Sequence, residues 1–333
     1  MRNFKKYVIL GGDGVFGIHM AKYLLDRSLA ERVICVGRNA RKPEVYSLGV
    51  GNRDPRYKYY QAHMLHEPDI LMKIFDQEKP ECIINFAALA YATSWTDSYR
   101  YYDTNVIALA KITELIRDRD YFKHWMQIGS SEVYGPAVNG PSKETDAPNP
   151  TSPYAVSKLA GDLHLKTYFD SIQFPMNIIR PSNAYAPGQQ LYRVMPRAAY
   201  CALKGITFPL EGGGIAEKSF LHAIDMADAI YKIITLAPLG EIYNAGTEAS
   251  TSIRNIVELI AKASNVEFNS FAKITEGRKT EDSRYWLDNS KITRDLGWQP
   301  NVSFNEGILG MVSWAKKYIS ELENMSQVYE LRS

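Results

Sequence analysis

Residues 6–17 read KYVILGGDGVFG, and the fold turns on how this stretch is read. KYVIL is an apolar run of strand length. It feeds Gly11, Gly14 and Gly17, a G-x-x-G-x-x-G pattern, and a helical pattern from Val15 to about Arg27 follows. Glycines permit positive φ and close approach of backbone to a ligand. The helix N-terminus behind them favours anionic phosphate. Strand, glycine turn and helix in that order predict a dinucleotide pyrophosphate site. The competing reading is a glycine-rich turn with no ligand. Asp13 is awkward here, because a carboxylate beside a diphosphate repels it unless its side chain points away.

Working outward, short apolar runs alternate with helical patterns. Strands are expected at 32–36, 57–62, 81–87, 124–129 and 174–181, with helices at 69–77, about 98–118, and one starting within 151–165. Ser152 is a plausible cap for that last helix, and Pro153 suits its first turn. Such alternation predicts an α/β fold, a Rossmann-type doubly wound parallel sheet. The second half is less regular, with Gly- and Pro-rich loops and helices expected at 225–236, 252–263, 289–296 and 304–319. It reads as a smaller C-terminal α/β lobe. The expected division is a cofactor domain at 1–181 and a mainly substrate-binding lobe at 182–330, with the chain returning to the main sheet in places.

A length of 333 residues allows two lobes or one large α/β unit. A net charge of +2 implies no strong pull toward nucleic acid. No apolar run reaches membrane-spanning length, and the N-terminus lacks a signal-peptide pattern. Cys35, Cys82 and Cys201 have neither metal nor C-x-x-C spacing. A cytoplasmic protein with no bound metal is the expectation.

Three further stretches carry chemistry. An acidic residue ending the second strand would bond the ribose 2′-hydroxyl of NAD. Here Gly37, Arg38 and Asn39 follow the strand, and Arg38 can meet a 2′-phosphate, so NADP is favoured and NAD remains open. Tyr154 and Lys158 stand four apart on one helical face. A neighbouring ammonium favours a phenolate, so this tyrosine is expected to have a lowered pKa and to remove a hydroxyl proton. Residues 129–135 read GSSEVYG and put Glu132 at the end of a buried strand, where a carboxylate is costly to desolvate. Ser130 or Ser131 could hold a substrate oxygen.

LGGDGVFG, NFAA (85–88), DTN (103–105), GSSEVYG, SPYAVSK (152–158), RPSNAYAPGQ (180–189) and DLGWQP (295–300) occur in this order across nearly the whole chain. Together they resemble the extended short-chain dehydrogenase/reductases that act on nucleotide sugars. The resemblance implies a tightly bound NAD(P), contacted by Gly11, Gly14, Val15, Phe16, Gly17, Arg38, Ala87, Asn105, Tyr154 and Lys158. It also implies a homodimer through helices near 98–118 and 153–170. Within the family, GSSEVYG resembles the 4,6-dehydratases. The spacing from Ser130 to Tyr154 is closer to GDP-mannose 4,6-dehydratase, whereas residues 277–300 look like the dTDP-glucose enzymes, so the base is open.

The resemblance implies a nucleotide-sugar 4,6-dehydratase making a 4-keto-6-deoxy sugar, of use in polysaccharide biosynthesis. Tyr154 would take the C4-hydroxyl proton and Glu132 the C5 proton. Where dTDP-glucose enzymes have an Asp as acid, this chain has Ser131, so protonated Glu132 itself would serve C6 departure. Asn183, Arg193, Lys218 and Arg284 are the expected substrate contacts. Leu89, Ala90 and Tyr91 replace groups that usually hold the sugar. A 4-epimerase, a 4-reductase, a UDP-glucuronate decarboxylase-like enzyme and, from another class, a non-catalytic NADP-binding sensor are the alternatives.

Overall fold

The structure is a computed structural model that describes residues 1–90, 97–138, 140–247, 249–277 and 285–328. Twelve strands occur among them: β1 (Lys6–Leu10), β2 (Arg32–Gly37), β3 (Tyr57–Gln61), β4 (Cys82–Asn85), β5 (His124–Ile128), β6 (Met176–Pro181), β7 (Asn183–Tyr185), β8 (Phe208–Glu211), β9 (Glu217–His222), β10 (Ile242–Ala245), β11 (Ser250–Ser252) and β12 (Ala272–Thr275). Seven form one sheet in the order β10-β6-β5-β4-β1-β2-β3, with every pairing parallel. The order reverses at β1, so β1 and β4 flank the crevice where a doubly wound sheet takes its ligand.

The strands are apolar almost throughout because helices cover both faces. One face packs Ile9, Val33, Cys35 and Ile84 against Ile18, Leu24, Ile230 and Ile233 from the 15–26 and 223–236 helices. The other packs Val8, Leu10, Ile34 and Ile83 against Leu71, Phe75, Leu109 and Ile112. β10 belongs to the main sheet, and the 223–236 helix packs on it, although both follow residue 181.

A second core joins the helices Val194–Lys204, Ile253–Ser264 and Phe304–Lys317 through Met195, Ala198, Ile256, Ile260, Ile308 and Met311. β7, β9 and β11 form a small sheet beside it, and β8 pairs with β12. The expected helices at 225–236, 252–263, 289–296 and 304–319 are present within a few residues. The helix at 194–204 was missed by the sequence reading. The helix expected at 98–118 runs over 99–116 and is not regular, because Asp103–Ile107 forms a π-helical turn.

Candidate active site

The turn after β1 is drawn tight by a bond from Gly14 N to Gly11 O at 2.9 Å. Gly11 has φ +70°, and a Cβ there would press on the backbone of Phe86 and Ala87 at the end of β4. Gly17 plays a different part: a side chain would strike the Gly11 carbonyl and Gly12, so this glycine seats the helix against the turn. Val15 and Phe16 begin that helix, and Phe16 packs on the core. In front of the turn lies a cleft of about 390 Å³, lined by Gly11, Asp13, Gly14, Arg38, Ala87 and Arg193 among others. Backbone this close to a ligand-sized cleft is what a dinucleotide pyrophosphate requires, and the residues present fit one.

Lys158, Tyr154 and Ser157 share the helix Pro153–Ile172, capped by Ser152, whose hydroxyl accepts from Ala155 N at 3.1 Å. Ser130 caps the short turn Ser131–Tyr134 and accepts from Glu132 N at 3.2 Å. The Ser130 side chain bears on the Tyr154 hydroxyl, and Glu132 lies close enough to act on that hydroxyl by charge. Ser130, Glu132 and Tyr154 therefore converge. Tyr101 steadies the tyrosine, its ring edge-on at 6.1 Å.

The expected lowering of the tyrosine pKa by Lys158 is not what the structure has. Burial pushes the Tyr154 hydroxyl up, and the Glu132 carboxylate pushes it further; Ser130 and then Arg193 oppose. Lys158 donates instead to the Ile128 carbonyl at 2.6 Å, and burial lowers its own pKa to about 8 against the pull of Asp162. With its ammonium tied to a strand end, the lysine has little hold on the phenol.

Asn105 lies in the π-helical turn and serves the framework. Its amide donates to Ser157 Oγ at 2.9 Å and Leu89 O at 3.2 Å, and accepts from Leu89 N at 3.0 Å. It thereby fastens the loop after β4 to the helix bearing Tyr154. A π-turn at such a junction is frequent near functional sites. Ser131 is buried behind its neighbours.

On the substrate side, Arg193 stands just before the helix Val194–Lys204, reaches Ala90 O at 3.4 Å, and acts on Tyr154 by charge. Asn183 Nδ2 is buried without a hydrogen-bond partner among the described residues. Arg197, one turn beyond Arg193, has its Nε in the same condition, and the sequence reading passed it over. Lys218 stands two residues before Phe220 on β9, and Phe220 is paired with Asn183, so both polar residues face one side of the small sheet. Arg284 and Tyr91 lie outside the described residues. Among the described residues, no group of three or more His, Cys, Asp or Glu converges as a metal site. No helix among them is long and apolar enough to cross a membrane.

Residues 8–311 match the model of the GDP-mannose 4,6-dehydratase family. The dTDP-D-glucose 4,6-dehydratase of Homo sapiens is 25% identical over 332 residues, spanning 98% of this chain and 94% of that protein. The dTDP-glucose 4,6-dehydratase of Streptomyces griseus is 28% identical over 267 residues, 80% of each chain. The dTDP-glucose 4,6-dehydratase of Streptomyces venezuelae, solved with NAD bound, superposes with a TM-score of 0.86 at 26% identity over 95% of this chain and 98% of that one. The enzyme of the same name from Bacillus anthracis, in complex with NAD, gives 0.84 at 25% identity over 94% of this chain and 97% of that one.

Proposed function

We propose, for a chain that belongs to the GDP-mannose 4,6-dehydratase family of extended short-chain dehydrogenase/reductases, that its reaction is the 4,6-dehydration of a nucleotide-diphosphate hexose. It is a nicotinamide-dinucleotide-dependent sugar-nucleotide dehydratase, a carbon–oxygen lyase. The single observation that carries the assignment is Glu132 set against the Ser130–Tyr154 pair. An epimerase that only oxidises and re-reduces C4 has no use for a carboxylate there.

A dinucleotide held along Gly11, Gly14 and Ala87 would supply a hydride acceptor for C4, a hydride donor for C6 and a positive ring charge in the cleft. Tyr154 accepts the C4-hydroxyl proton while Ser130 holds the same oxygen. Lys158, fixed by Ile128 O, is held one turn beyond the tyrosine as a contact for the cofactor. The C4 ketone acidifies the C5 proton, and Glu132 removes it. Ser131 is too weak an acid to protonate the departing C6 hydroxyl, so Glu132 hands on the proton it has just taken, and water leaves. Return of hydride to C6 leaves an enolate that takes up one proton at C5, and the proton that Tyr154 took from the C4 hydroxyl closes the count.

Asn183, Arg193, Arg197 and Lys218 bind the nucleotide diphosphate. Arginine suits this by its planar fork of donors. Domain roles follow the same line: residues 1–181 hold the cofactor and reacting groups, and most of 182–330 receives the sugar nucleotide. Arg38 favours NADP on its own, but Asp13 stands against it. The protein works as a homodimer. Tyr99, Ile107, Val156 and Leu163 on the helices at 99–116 and 153–172 are exposed at 62%, 53%, 38% and 55%, an apolar face that a second copy would cover. The buried free cysteines suit the cytoplasm.

The test is incubation with GDP-, dTDP-, UDP- and CDP-hexoses without added reductant, read by mass spectrometry. Loss of one water from one substrate, abolished in Glu132→Gln, is expected. An isomer of unchanged mass, or a product gaining two hydrogens only with added NADPH, would overturn the dehydratase in favour of an epimerase or a reductase.

A further inference from the structure

In Rossmann folds that take NAD, the residue ending the second strand, about 20 positions past the glycine motif, is acidic and accepts from the ribose hydroxyl. Here that strand ends in Gly37. The backbone does not call for a glycine, since Gly37 is not among the residues at positive φ. The reason is space. A Cβ on Gly37 would overlap Asp13 Oδ1, and the Tyr59 hydroxyl stands just beyond. The volume a strand-end side chain would fill is thus taken by a carboxylate arriving from the glycine turn.

Asp13 is 8% exposed and lines the same cleft as Gly11, Gly14 and Arg38. Its carboxylate is turned from the pyrophosphate turn toward β2, which removes the repulsion that its place in the sequence suggests. Lys42 Nζ stands 4.0 Å from Oδ2. One distant ammonium is small compensation for desolvating a carboxylate, so the group is held for something it accepts. Arg38, by contrast, is exposed at the mouth, and Arg41 is bonded away from the cleft to Val50 O and Asn52 Oδ1.

We infer that Asp13 takes the adenosine ribose in place of the missing strand-end acid, and that it sets the preference of this chain for NAD over NADP. The inference rests on the dinucleotide reading of the cleft. A ribose 2′-hydroxyl donates to the carboxylate; a 2′-phosphate in the same place meets it as a like charge. The feature that points to NADP in the sequence, Gly-Arg after the second strand, is accordingly the mark of a carboxylate supplied from elsewhere.

The experiment is equilibrium binding of NAD and NADP to dinucleotide-stripped protein, followed by quenching of intrinsic fluorescence, with no turnover involved. Wild-type protein is expected to bind NAD more tightly than NADP. Asp13→Asn should weaken NAD by about 10–100-fold, the worth of a hydrogen bond to a charged group, while NADP holds or gains. The double variant Asp13→Gly/Gly37→Asp, which moves the carboxylate to the strand end, should recover NAD binding. It also keeps the inference testable if Asp13→Asn fails to fold. NADP bound more tightly by the wild type, or NAD affinity unchanged in Asp13→Asn, would overturn the role of Asp13 while leaving the dehydratase reading intact. Failure of the folded wild type to bind either dinucleotide would overturn both.

Discussion

Asp162→Asn tests how the site is held up. Asp162 lies one turn after Lys158 on the same helix and faces Arg180 of β6, Nε to Oδ2 at 2.9 Å, with side chains 5% and 1% exposed. Burial pushes the Asp162 carboxyl up, and Arg180 and then Lys158 oppose that push. Arg180 also donates to the Tyr134 hydroxyl at 2.8 Å, and Tyr134 to Asn244 Oδ1 at 2.9 Å, two residues from Glu132. Removing the charge of Asp162 leaves a guanidinium buried and unpaired, which costs about 3–5 kcal/mol. At roughly 2 cal/mol/K of unfolding entropy per residue, a chain of 333 residues should lose about 4–7 °C in Tm. A second effect falls on Lys158, whose pKa of about 8 is held up against burial by Asp162. Without that carboxylate the ammonium loses its proton at lower pH, so the alkaline limb of the kcat profile should move down. Calorimetry and a pH–rate series between pH 6 and 9 measure both. The double variant Asp162→Asn/Arg180→Met should regain part of the lost Tm, since it removes the orphaned charge. A single variant with unchanged Tm and unchanged alkaline limb would refute the reasoning.

Two further perturbations read other parts of the fold. His124 is fully buried on β5 with both ring nitrogens unpartnered among the described residues, and burial lowers its pKa to about 3. His222 is likewise lowered to about 4. Both are neutral in the fold and take up protons on unfolding below about 6.5, so stability is complete above that pH and falls as pH drops toward 3–4. His124→Leu should raise the urea midpoint, and more at pH 5 than at pH 8; equal gains at both would show that titration plays no part. Leu163→Glu places a charge on the exposed apolar face of the 153–172 helix. Sedimentation should find wild type at twice the chain mass and the variant at once; a monomeric wild type would remove the dimer.

The parallel sheet was legible because most of its strands are largely apolar and several helices begin with a local signal, as Ser152-Pro153 does. The convergence of Ser130, Glu132 and Tyr154 was legible for a related reason: both segments leave the sheet at its carboxyl edge. What failed to show depends on partners remote in sequence. Nothing near Lys158 announces that the Ile128 carbonyl, 30 residues earlier, will take its ammonium. The helix 194–204 was hidden by Pro196, which reads as a breaker, yet in the first turn proline forfeits no intrahelical bond. The direction of Asp13 could have been suspected from one conjunction, an acid in the glycine turn together with a glycine where the strand-end acid belongs, but each residue alone suggests the opposite.

The same electrostatics explain how a carboxylate can be kept beside the reacting tyrosine. Glu132 and burial together hold the Tyr154 proton on, and Lys158 is too firmly tied to Ile128 O to counter them. The tyrosine is therefore a poor base until positive charge enters the cleft, and Arg193 contributes only part of it. On the proposed reaction, a site arranged this way would remove a C4 proton only once a hydride acceptor is in place. In that proposed reaction Glu132 has two linked effects: it raises the tyrosine while the site waits, and once the C4 proton has gone it would take the one at C5. Glu132→Gln should for that reason uncouple the steps, easing the first and abolishing the second, so that the variant oxidises its substrate at C4 without releasing water.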